Sequence, residues 1–437
     1  TGYKHQNQQK QQKRPTMPRA AVVGALTAVA AATATVVLVA WRRRRSRGDR
    51  FVANQLDTPT LLLDLDALEH NISSIASFVR ARNLIWRPHC KAVRCAEIAK
   101  LLLAAGACGV TCAKVSQAAA LVDGGITDIL IANQVVGADK IAALVRLARC
   151  ATVCVAVDNM TNLKHISTAA VAGGVNIAVL VDVDAGMGRC GVPHDDTDCI
   201  VALCQVAFSL PGITFRGLMG YDGHTQEGDA EAREEAVTHS QRLDAVRATV
   251  EAAGIPVPLV SGAGSGNIAR ATQLGSVTEV QAGGGIFCCQ TYDKYHKNWE
   301  EAQDLPSDRP RLRPCLYILA QVVSSATEGR AVVDAGFKAS FPSGGGLPRC
   351  ISHEGISAVE ANAEHLILRV AQVPSGAEKT LDIGERLVFW PFYSDSTTLL
   401  HRRMYGFRQM SPNTSEQTSQ LIDPCTLVVE NEFDLSP

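Results

Sequence analysis

The sequence predicts an α/β fold: a (β/α)8 TIM barrel, a second and mostly β domain after it, and a single hydrophobic helix near the N-terminal end. Three observations lead to this prediction. Short β-rich runs alternate with helical segments eight times within about 220 residues, the count and size of such a barrel. After residue 292 the helical periodicity fades, and β-rich runs separated by Gly, Pro and Ser continue to about residue 410. Residues 20–41 are uncharged, apolar and long enough to cross the ~30 Å core of a membrane.

The N-terminal segments differ in kind from the rest of the chain. Residues 1–19 are a polar extension rich in Gln and Lys, and Met17 within it is a candidate initiator. The apolar segment 20–41 is followed by a basic linker, 42–55, with five arginines in its first six residues. This charge bias predicts a single membrane anchor with the large C-terminal part facing the cytosol. The alternative is a mitochondrial presequence, although such segments usually interleave arginines with apolar residues.

Composition narrows the class of protein. Charged residues make up 19% of the chain and the net charge is −1, so no basic excess suggests nucleic acid as a partner. The 14 cysteines are scattered, with no CxxC pair and no Cys/His cluster at zinc spacing. We therefore expect buried, reduced thiols in a domain that faces the cytosol.

The predicted barrel occupies residues 56–292. Its eight strand-like runs centre on residues 85–87, 109–111, 129–131, 153–155, 178–181, 217–219, 258–260 and 279–281. Helices with apolar faces, such as 140–149 and 231–253, lie between most of them. A doubly wound open sheet is the alternative, but no GxGxxG motif opens the first unit. One more run, Thr60–Leu65, precedes the eight, and we expect it to pair with the second domain.

The second domain is predicted over residues 293–410. Its β-rich runs lie at 316–322, 330–333, 364–370 and 386–389. The remaining residues, 411–437, are rich in Ser, Thr, Asn and Gln and predict a loose tail. Leu427-Val428-Val429 within this tail is a candidate for one more strand.

The first barrel strand delivers a lysine to its carboxyl end. The apolar run at 84–86 leads to Lys91, and a helical segment follows from Glu97. Partial desolvation at a barrel mouth lowers the pKa of a lysine and frees its amine for imine chemistry. Because side chains alternate along an extended strand, His89 shares the side of Lys91 and is a second candidate catalytic residue. An isolated lysine would more often be a solvated strand end, so the interpretation depends on its surroundings.

The seventh and eighth runs end in turns of small residues. The seventh gives Ser261, Gly262, Ala263, Gly264, Ser265 and Gly266, and the eighth gives Gln281, Ala282, Gly283, Gly284 and Gly285. In such barrels these two loops often hold a phosphate, which backbone N–H groups and serine hydroxyls can bind. A lysine at the first strand with a phosphate site opposite predicts pyridoxal 5'-phosphate as the cofactor.

A set of motifs, in order along the chain, resembles those of the D-threonine aldolase / D-serine dehydratase-like family. They are Asp57-Thr58-Pro59, Arg87-Pro88-His89-x-Lys91, Gly109-Val110-Thr111-Cys112-Ala113-Lys114, Asp128-Ile129-Leu130-Ile131-Ala132-Asn133, Gly188-Arg189-Cys190-Gly191-Val192, Tyr221-x-Gly223-His224 and Glu279-x-Gln281-Ala282-Gly283. The resemblance covers about residues 56–397. It implies an alanine racemase type of fold, a dimer, and action on D-configured β-hydroxy amino acids.

The resemblance also implies roles for single residues. It makes Lys91 the Schiff-base lysine, Arg189 a contact of the cofactor or of the substrate carboxylate, and Tyr221 a contact of the cofactor ring. Gln281 would donate to the phosphate or to the ring oxygen. His224 is a weaker candidate, since a histidine in a Gly-rich loop is often only a turn residue. For Tyr221 the alternative is packing in the core.

The sequence departs from the family at the expected metal site. The family carries a proline-x-His-x-Asp/Cys stretch whose last two named residues bind a metal ion, and here Tyr393 stands at the histidine position while Asp395 is kept. A phenol, with a reference pKa of ~10, is a far poorer ligand than an imidazole. His365 and His401 are candidate replacement ligands. Without a metal another base is needed, for which Tyr393 and His365 are candidates.

The function predicted from these residues is a pyridoxal-phosphate-dependent lyase, of the D-threonine aldolase type. D-Serine dehydratase is the first alternative, because aldol cleavage and dehydration use the same electron-withdrawing ring. A racemase would need a second acid/base facing Lys91. A non-catalytic protein that binds the cofactor is the remaining alternative.

Overall fold

The computed structural model describes residues 51–301, 305–341, 345–371, 381–408 and 428–435. The polar extension at 1–19, the predicted anchor at 20–41 and most of the basic linker lie outside these residues. Among the residues described, no helix is both long and apolar enough to span a bilayer. The end of the predicted linker, Phe51–Val52 and Ala53–Gln55, forms a short strand and a 3-10 turn.

The described strands are, in chain order, β1 (Phe51–Val52), β2 (Thr60–Asp64), β3 (Ile85–Trp86), β4 (Val110–Cys112), β5 (Asp128–Gln134), β6 (Thr152–Val157), β7 (Ile177–Asp184), β8 (Val192–Pro193), β9 (Ile213–Gly220), β10 (Leu259–Gly262), β11 (Glu279–Val280), β12 (Leu316–Thr327), β13 (Arg330–Val333), β14 (Arg349–Cys350), β15 (Ile356–Ala361), β16 (Leu366–Val370), β17 (Arg386–Trp390), β18 (Arg403–Arg408) and β19 (Val428–Asp434). The described α-helices are α1 (Leu65–Ala81), α2 (Ala96–Ala104), α3 (Val115–Asp123), α4 (Ala138–Ala148), α5 (Met160–Gly173), α6 (Thr197–Ser209), α7 (Ala230–Ala252), α8 (Ile268–Leu274), α9 (Gln290–Glu300) and α10 (Ser394–Leu399).

The first sheet is parallel and curled, in the order β3-β11-β10-β9-β7-β6-β5-β4, with β8 attached to β7. Its two ends meet just beyond β3, where His89 forms a parallel bridge with Thr111. There the Cys90 amide donates to the Thr111 carbonyl at 2.7 Å. All eight predicted barrel runs are strands of this sheet. The prediction of an α/β fold with a curled parallel sheet is therefore confirmed, and β8 is an addition to it.

The second sheet has the path β1-β19-β18-β2-β12-β13-β16-β15, and β17 pairs with β12 and β14. The early run predicted to cross over is β2. It lies antiparallel to β12 and parallel to β18. The chain therefore enters through the second sheet and passes from β2 directly into α1, so that prediction is confirmed.

The tail prediction needs correction. Strand β19 lies within residues 411–437 and pairs with β18 on one side and β1 on the other. An unpaired edge on β18 would leave a row of backbone groups exposed, and β19 covers it. The candidate strand at Leu427-Val428-Val429 was the relevant signal, because β19 begins at Val428.

The curled sheet buries apolar side chains on both faces. Residues such as Val179 and Val181 pack against the helices, while Leu130, Leu180 and Met219 cluster separately on the concave face. This alternation follows from the two-residue period of a strand.

Arg87 connects strands across the concave face. Its Nε donates to Glu279 Oε2 at 2.8 Å and its Nη1 to Asp128 Oδ1 at 2.6 Å. Glu279 is 1% exposed and Asp128 37%. Burial lowers the pKa of Arg87, but the two carboxylates outweigh it and raise that pKa. The charge of Glu279 is therefore tolerated in the interior because Arg87 compensates it.

We predict that Arg87→Met lowers the free energy of unfolding by about 3–5 kcal/mol, because it leaves the Glu279 charge buried without a cation. Equilibrium unfolding in urea measures the change. The control is Lys338→Met, which removes an exposed ion pair with Glu364 and should cost less than about 1 kcal/mol. Equal effects of the two substitutions would contradict the prediction.

Candidate active site

Lys91 lies at the carboxyl edge of the curled sheet. The chain stays extended from β3 to the bridge at His89, then turns through residues 90–93 before α2 begins at Ala96. The Lys91 side chain is 34% exposed, and its Nζ is 3.1 Å from Oδ2 of Asp395. Lys91 is therefore in the predicted place, at the end of the first strand of the sheet.

Asp395 and Tyr393 come from the second domain. Asp395 lies in the first turn of α10, and the Tyr393 hydroxyl donates to the same Oδ2 at 2.8 Å. The other carboxylate oxygen, Oδ1, is buried and has no hydrogen-bond partner among the described residues. Lys91, Asp395 and Tyr393 thus form one chain of polar contacts across the two domains.

The pKa of Lys91 differs from the prediction. Burial lowers the pKa of Lys91, as expected, but the negative charge of Asp395 and its hydrogen bond raise it, and the net direction is upward. The prediction of a lowered pKa is wrong for this arrangement, because the sequence did not place a carboxylate beside the amine. Burial and Asp395 also raise the pKa of the Tyr393 hydroxyl.

Contacts from both sides fix the position of α10. Arg94 Nη1 donates to the Thr398 carbonyl in the last turn of the helix at 2.6 Å. On its other side, Thr291 donates through its hydroxyl to the Phe392 carbonyl at 2.8 Å, and Gln290 donates to the Trp390 carbonyl at 2.8 Å. The turn that carries Lys91 and the start of α9 therefore hold Asp395 at the mouth of the curled sheet.

His89 lies beside Lys91 and is half-buried. Its Nδ1 accepts the backbone N–H of Lys91 at 3.2 Å. Burial, together with the positive charges of Lys91 and Arg189, lowers the pKa of His89 to about 3. At neutral pH the ring is therefore uncharged and carries its proton on Nε2, because Nδ1 is an acceptor.

Arg189 and Tyr221 form the next part of the rim. The Arg189 guanidinium lies 5.2 Å from the centre of the Tyr221 ring, and Arg189 itself is exposed. Burial raises the pKa of Tyr221, so its hydroxyl stays protonated. Asp182, at the end of β7, accepts from Gln134 at 2.8 Å, and burial raises its pKa to about 6. Neither Asp182 nor Gln134 was predicted from the sequence.

The predicted phosphate-binding side chains Ser261 and Gln281 are bonded elsewhere. Ser261 is fully buried and its hydroxyl donates to Glu279 Oε1 at 2.7 Å. Gln281 is 4% exposed and donates to that same hydroxyl at 3.0 Å. In this conformation both side chains belong to the network of Arg87 and Glu279 below the rim.

The turn after β10 is held by a buried network from the loop after β9. Gly264 N donates to Asn267 Oδ1 at 3.1 Å, and Gly266 N donates to Gln226 Oε1 at 2.6 Å. Asn267 in turn donates to Asp222 Oδ2 at 2.6 Å. Sequence reasoning missed this network, since amide side chains near a Gly-rich turn have no distinctive spacing.

The two glycine-rich turns pack tightly against each other. Gly285 N donates to the Ser265 hydroxyl at 2.9 Å. A Cβ at Gly283 would collide with the backbone of His89, and one at Gly284 would collide with the hydroxyl of Tyr292. Tyr292, which sequence reasoning used only as a boundary, is therefore part of the site. Gly283 thus places the second turn against the backbone of His89, two residues before Lys91. Gly262 shows the same constraint, since a Cβ there would meet the carbonyl of Gly220.

His224 lies apart from this rim. Its Nε2 is 3.8 Å from Glu235, and its ring lies 5.7 Å from that of His239. The loop that carries His224 also carries Asp222, Thr225 and Gln226, which bond to the turn after β10.

The residues present do not fit a divalent metal site. No three His, Cys, Asp or Glu side chains group into a metal site anywhere in the described ranges. His365 is exposed on the turn between β15 and β16, and His401 is bonded through Nε2 to the Ala339 carbonyl at 2.8 Å. Neither His365 nor His401 lies beside Asp395, so neither replaces the histidine ligand that the family has at position 393.

The residues do fit pyridoxal 5'-phosphate. An accessible amine, the cation of Arg189 and the close glycine turns are the groups needed for an aldehyde and a phosphate. Asp222 follows Tyr221 in the sequence. Its Oδ1 is buried and has no hydrogen-bond partner among the described residues, so it can accept a hydrogen bond from a ligand. The fold and the site define the class of alanine racemase-type proteins.

Comparisons with known proteins give the family. The family model described as alanine racemase, N-terminal domain, matches residues 63–290, and that of a serine dehydratase-like domain matches 315–407. D-threonine aldolase of an Arthrobacter species is 37% identical over 352 residues, which cover 79% of this chain and 88% of that one. The 3-hydroxy-D-aspartate aldolase of Paracoccus denitrificans (strain Pd 1222) is 32% identical over 364 residues, covering 81% and 89%.

A solved structure agrees with these relatives. The crystal structure of D-threonine aldolase from Filomicrobium marinum has a TM-score of 0.78 at 32% identity, covering 88% of this chain and 96% of that one. The chain belongs to the D-threonine aldolase-like family, whose members join an alanine racemase N-terminal domain to a serine dehydratase-like domain. The resemblance seen in the sequence motifs is confirmed.

Proposed function

We propose that the protein is a pyridoxal-phosphate-dependent lyase that cleaves D-configured β-hydroxy amino acids by a retro-aldol reaction, in the manner of D-threonine aldolase. The observation that carries the proposal is the amine of Lys91 at the rim of the curled sheet, 3.1 Å from Asp395. Two relatives that match most of the chain also support it, since they are named D-threonine aldolase and 3-hydroxy-D-aspartate aldolase.

Lys91 would hold the cofactor through its amine, and the turns at 262–266 and 283–285 would hold the phosphate through their backbone N–H groups other than those of Gly264, Gly266 and Gly285, which donate to Asn267, Gln226 and Ser265. When bound, the cofactor supplies a ring that withdraws electrons from the α-carbon of an amino acid. Arg189 is exposed at the rim, where a guanidinium can bind a substrate carboxylate with two hydrogen bonds. We also propose that the curled sheet is a closed (β/α)8 barrel, and the bridge between His89 and Thr111 supports this.

The remaining residues at the rim would exchange protons with the substrate or hold other side chains in position. Asp395 is the carboxylate nearest to the amine, and Tyr393 orients it by donating to Oδ2. His89, neutral and with its Nε2 proton available, can donate to an anionic group without adding charge. Tyr292 limits the space above the glycine turns. These groups come from both domains, so both are needed for a complete site.

D-Serine dehydratase is the second candidate function, because residues 315–407 match a serine dehydratase-like domain. Two further alternatives from the sequence, a racemase and a non-catalytic protein that binds the cofactor, remain predictions. The expected homodimer also remains a prediction.

The test is incubation of residues 51–437, loaded with pyridoxal 5'-phosphate, with D-threonine and D-serine. We expect glycine and acetaldehyde from D-threonine, and a loss of roughly a thousandfold or more in Lys91→Ala. Lys100→Met, an exposed lysine on α2, is the control and should retain activity. A keto acid with ammonia would show a dehydratase instead. Exchange of the α-hydrogen without cleavage of the Cα–Cβ bond would show a racemase. The absence of turnover of either amino acid would contradict the proposal that the protein is an enzyme.

We further propose that residues 20–41 anchor the protein in a membrane with its catalytic part in the cytosol. The uncharged segment and the arginines that follow it support this proposal. We expect the full chain, expressed in cells, to stay in the membrane pellet after carbonate extraction, while residues 51–437 stay in the supernatant. A full chain released by carbonate, or found shortened in the mitochondrial matrix, would contradict it.

A further inference from the structure

The contacts around Asp395 have a consequence for the substrate's β-hydroxyl group. We propose, resting on the proposed lyase function, that this site works without a divalent cation and that Asp395, oriented by Tyr393, binds the β-hydroxyl directly. The geometry that carries the proposal is the hydrogen bond from the Tyr393 hydroxyl to Oδ2, together with the unpartnered Oδ1.

The donor set argues against a cation. Divalent metals in proteins take imidazole, thiolate or carboxylate ligands, usually three or more together. Around Asp395 no three such side chains group together in the described ranges. The nearby Cys289 thiol is buried, and burial raises its pKa, so it stays a protonated thiol and not a thiolate ligand. Of the eleven histidines, only His5 lies outside those ranges. The Tyr393 phenol is a neutral group that donates its proton to the carboxylate, so it is not a ligand that could replace the missing imidazole.

The state of Oδ2 adds to this argument. Without the cofactor, this oxygen lies 3.1 Å from the Lys91 ammonium and accepts from the Tyr393 hydroxyl at 2.8 Å. Once Lys91 holds the cofactor the ammonium no longer occupies Oδ2, but the Tyr393 hydroxyl remains its donor, and an oxygen that already has a donor is a poor point of attachment for a metal ion. One oxygen of Asp395 is thus committed to holding the side chain in place, and the other is the only one left for a ligand.

Oδ1 is the acceptor that remains. It is buried and has no hydrogen-bond partner in the described part of the protein. A buried carboxylate oxygen without a donor is costly, and a ligand that brings a donor relieves that cost. A β-hydroxyl group is such a donor. The ligand class that this oxygen selects is therefore an amino acid with a hydroxyl on its β-carbon, because an unsubstituted side chain leaves Oδ1 unpaired.

The proton and electrons balance without a metal. The hydrogen of the β-hydroxyl passes to Oδ1, and the carbon–oxygen bond becomes the C=O of the aldehyde product. The Cα–Cβ bond breaks, and its electron pair stays with the α-carbon, which then takes up a proton to give glycine. Tyr393 is a positioning residue in this scheme, because it contacts Asp395 and not the substrate.

Metal content is the first test, and it does not depend on turnover. The protein, loaded with pyridoxal 5'-phosphate, is dialysed against EDTA, incubated with Mn²⁺ or Zn²⁺, desalted and measured by mass spectrometry. We expect less than about 0.1 ion per chain in the wild type and about one per chain in Tyr393→His, which restores an imidazole beside Asp395. Ser396→His, which adds an imidazole elsewhere on α10, is the matched control and should bind none. One ion per wild-type chain would overturn the proposal.

Turnover gives the second test. EDTA should change the wild-type rate by less than about twofold and should abolish any rate gained by metal in Tyr393→His. Tyr393→Phe should lower kcat about tenfold or more with little change in KM, because the substrate contact is kept and only its orientation is lost. A rate that EDTA abolishes in the wild type would overturn the inference while leaving the lyase function intact. A wild type that turns over nothing would end the lyase proposal, and the metal content would still decide whether a cation binds.

Discussion

The ion pair between Lys91 and Asp395 is the contact on which the site depends. Lys91 belongs to the turn after the first strand of the curled sheet, and Asp395 belongs to a short helix of the second domain. Neither domain alone has both groups. The pairing also explains why the amine is charged in this structure, since a carboxylate 3.1 Å away outweighs the loss of water around the ammonium. Binding of an aldehyde must therefore displace Lys91 from Asp395.

The architecture is arranged so that this contact can form. Strand β2 lies in the second sheet, and α1 follows it without a loop, so the chain links the two domains at its beginning. Later, residues 288–291 bond to residues 390–392 just before α10. Arg94 then connects the Lys91 turn to the far end of α10. These contacts hold Asp395 at the mouth of the curled sheet.

Much of this could be predicted from the sequence. The eight barrel strands, the crossover of Thr60–Leu65 and the position of Lys91 followed from hydrophobic periodicity and turn residues. The predictions that failed concern hydrogen-bond and ion-pair partners. Ser261 and Gln281 were expected to face a phosphate. Instead, the Ser261 hydroxyl donates to the buried carboxylate of Glu279, and Gln281 donates to that hydroxyl. The pKa of Lys91 was expected to fall, because no pattern in the sequence places Asp395, 304 positions later, beside it. The short strand β14 was missed because two residues carry little periodicity, and β19 was predicted only as a candidate strand at residues 427–429.

The electrostatics of the rim also came only from the structure. Burial, together with the charges of Lys91 and Arg189 on either side, lowers the pKa of His89 and keeps its imidazole neutral. A neutral ring beside two cations leaves the rim positive, which suits a phosphate and a carboxylate. Among the described residues, Asp395 is the one carboxylate that forms an ion pair with the Lys91 amine.

The most direct test of this account asks which lysine binds the cofactor. The protein is incubated with pyridoxal 5'-phosphate, reduced with sodium borohydride, digested and mapped by mass spectrometry. The account predicts that the reduced cofactor is attached to the peptide containing Lys91, and that Asp395→Asn, which frees the amine, is labelled at the same residue. Label on another lysine, or none in either protein, would contradict the assignment of Lys91 as the reactive amine.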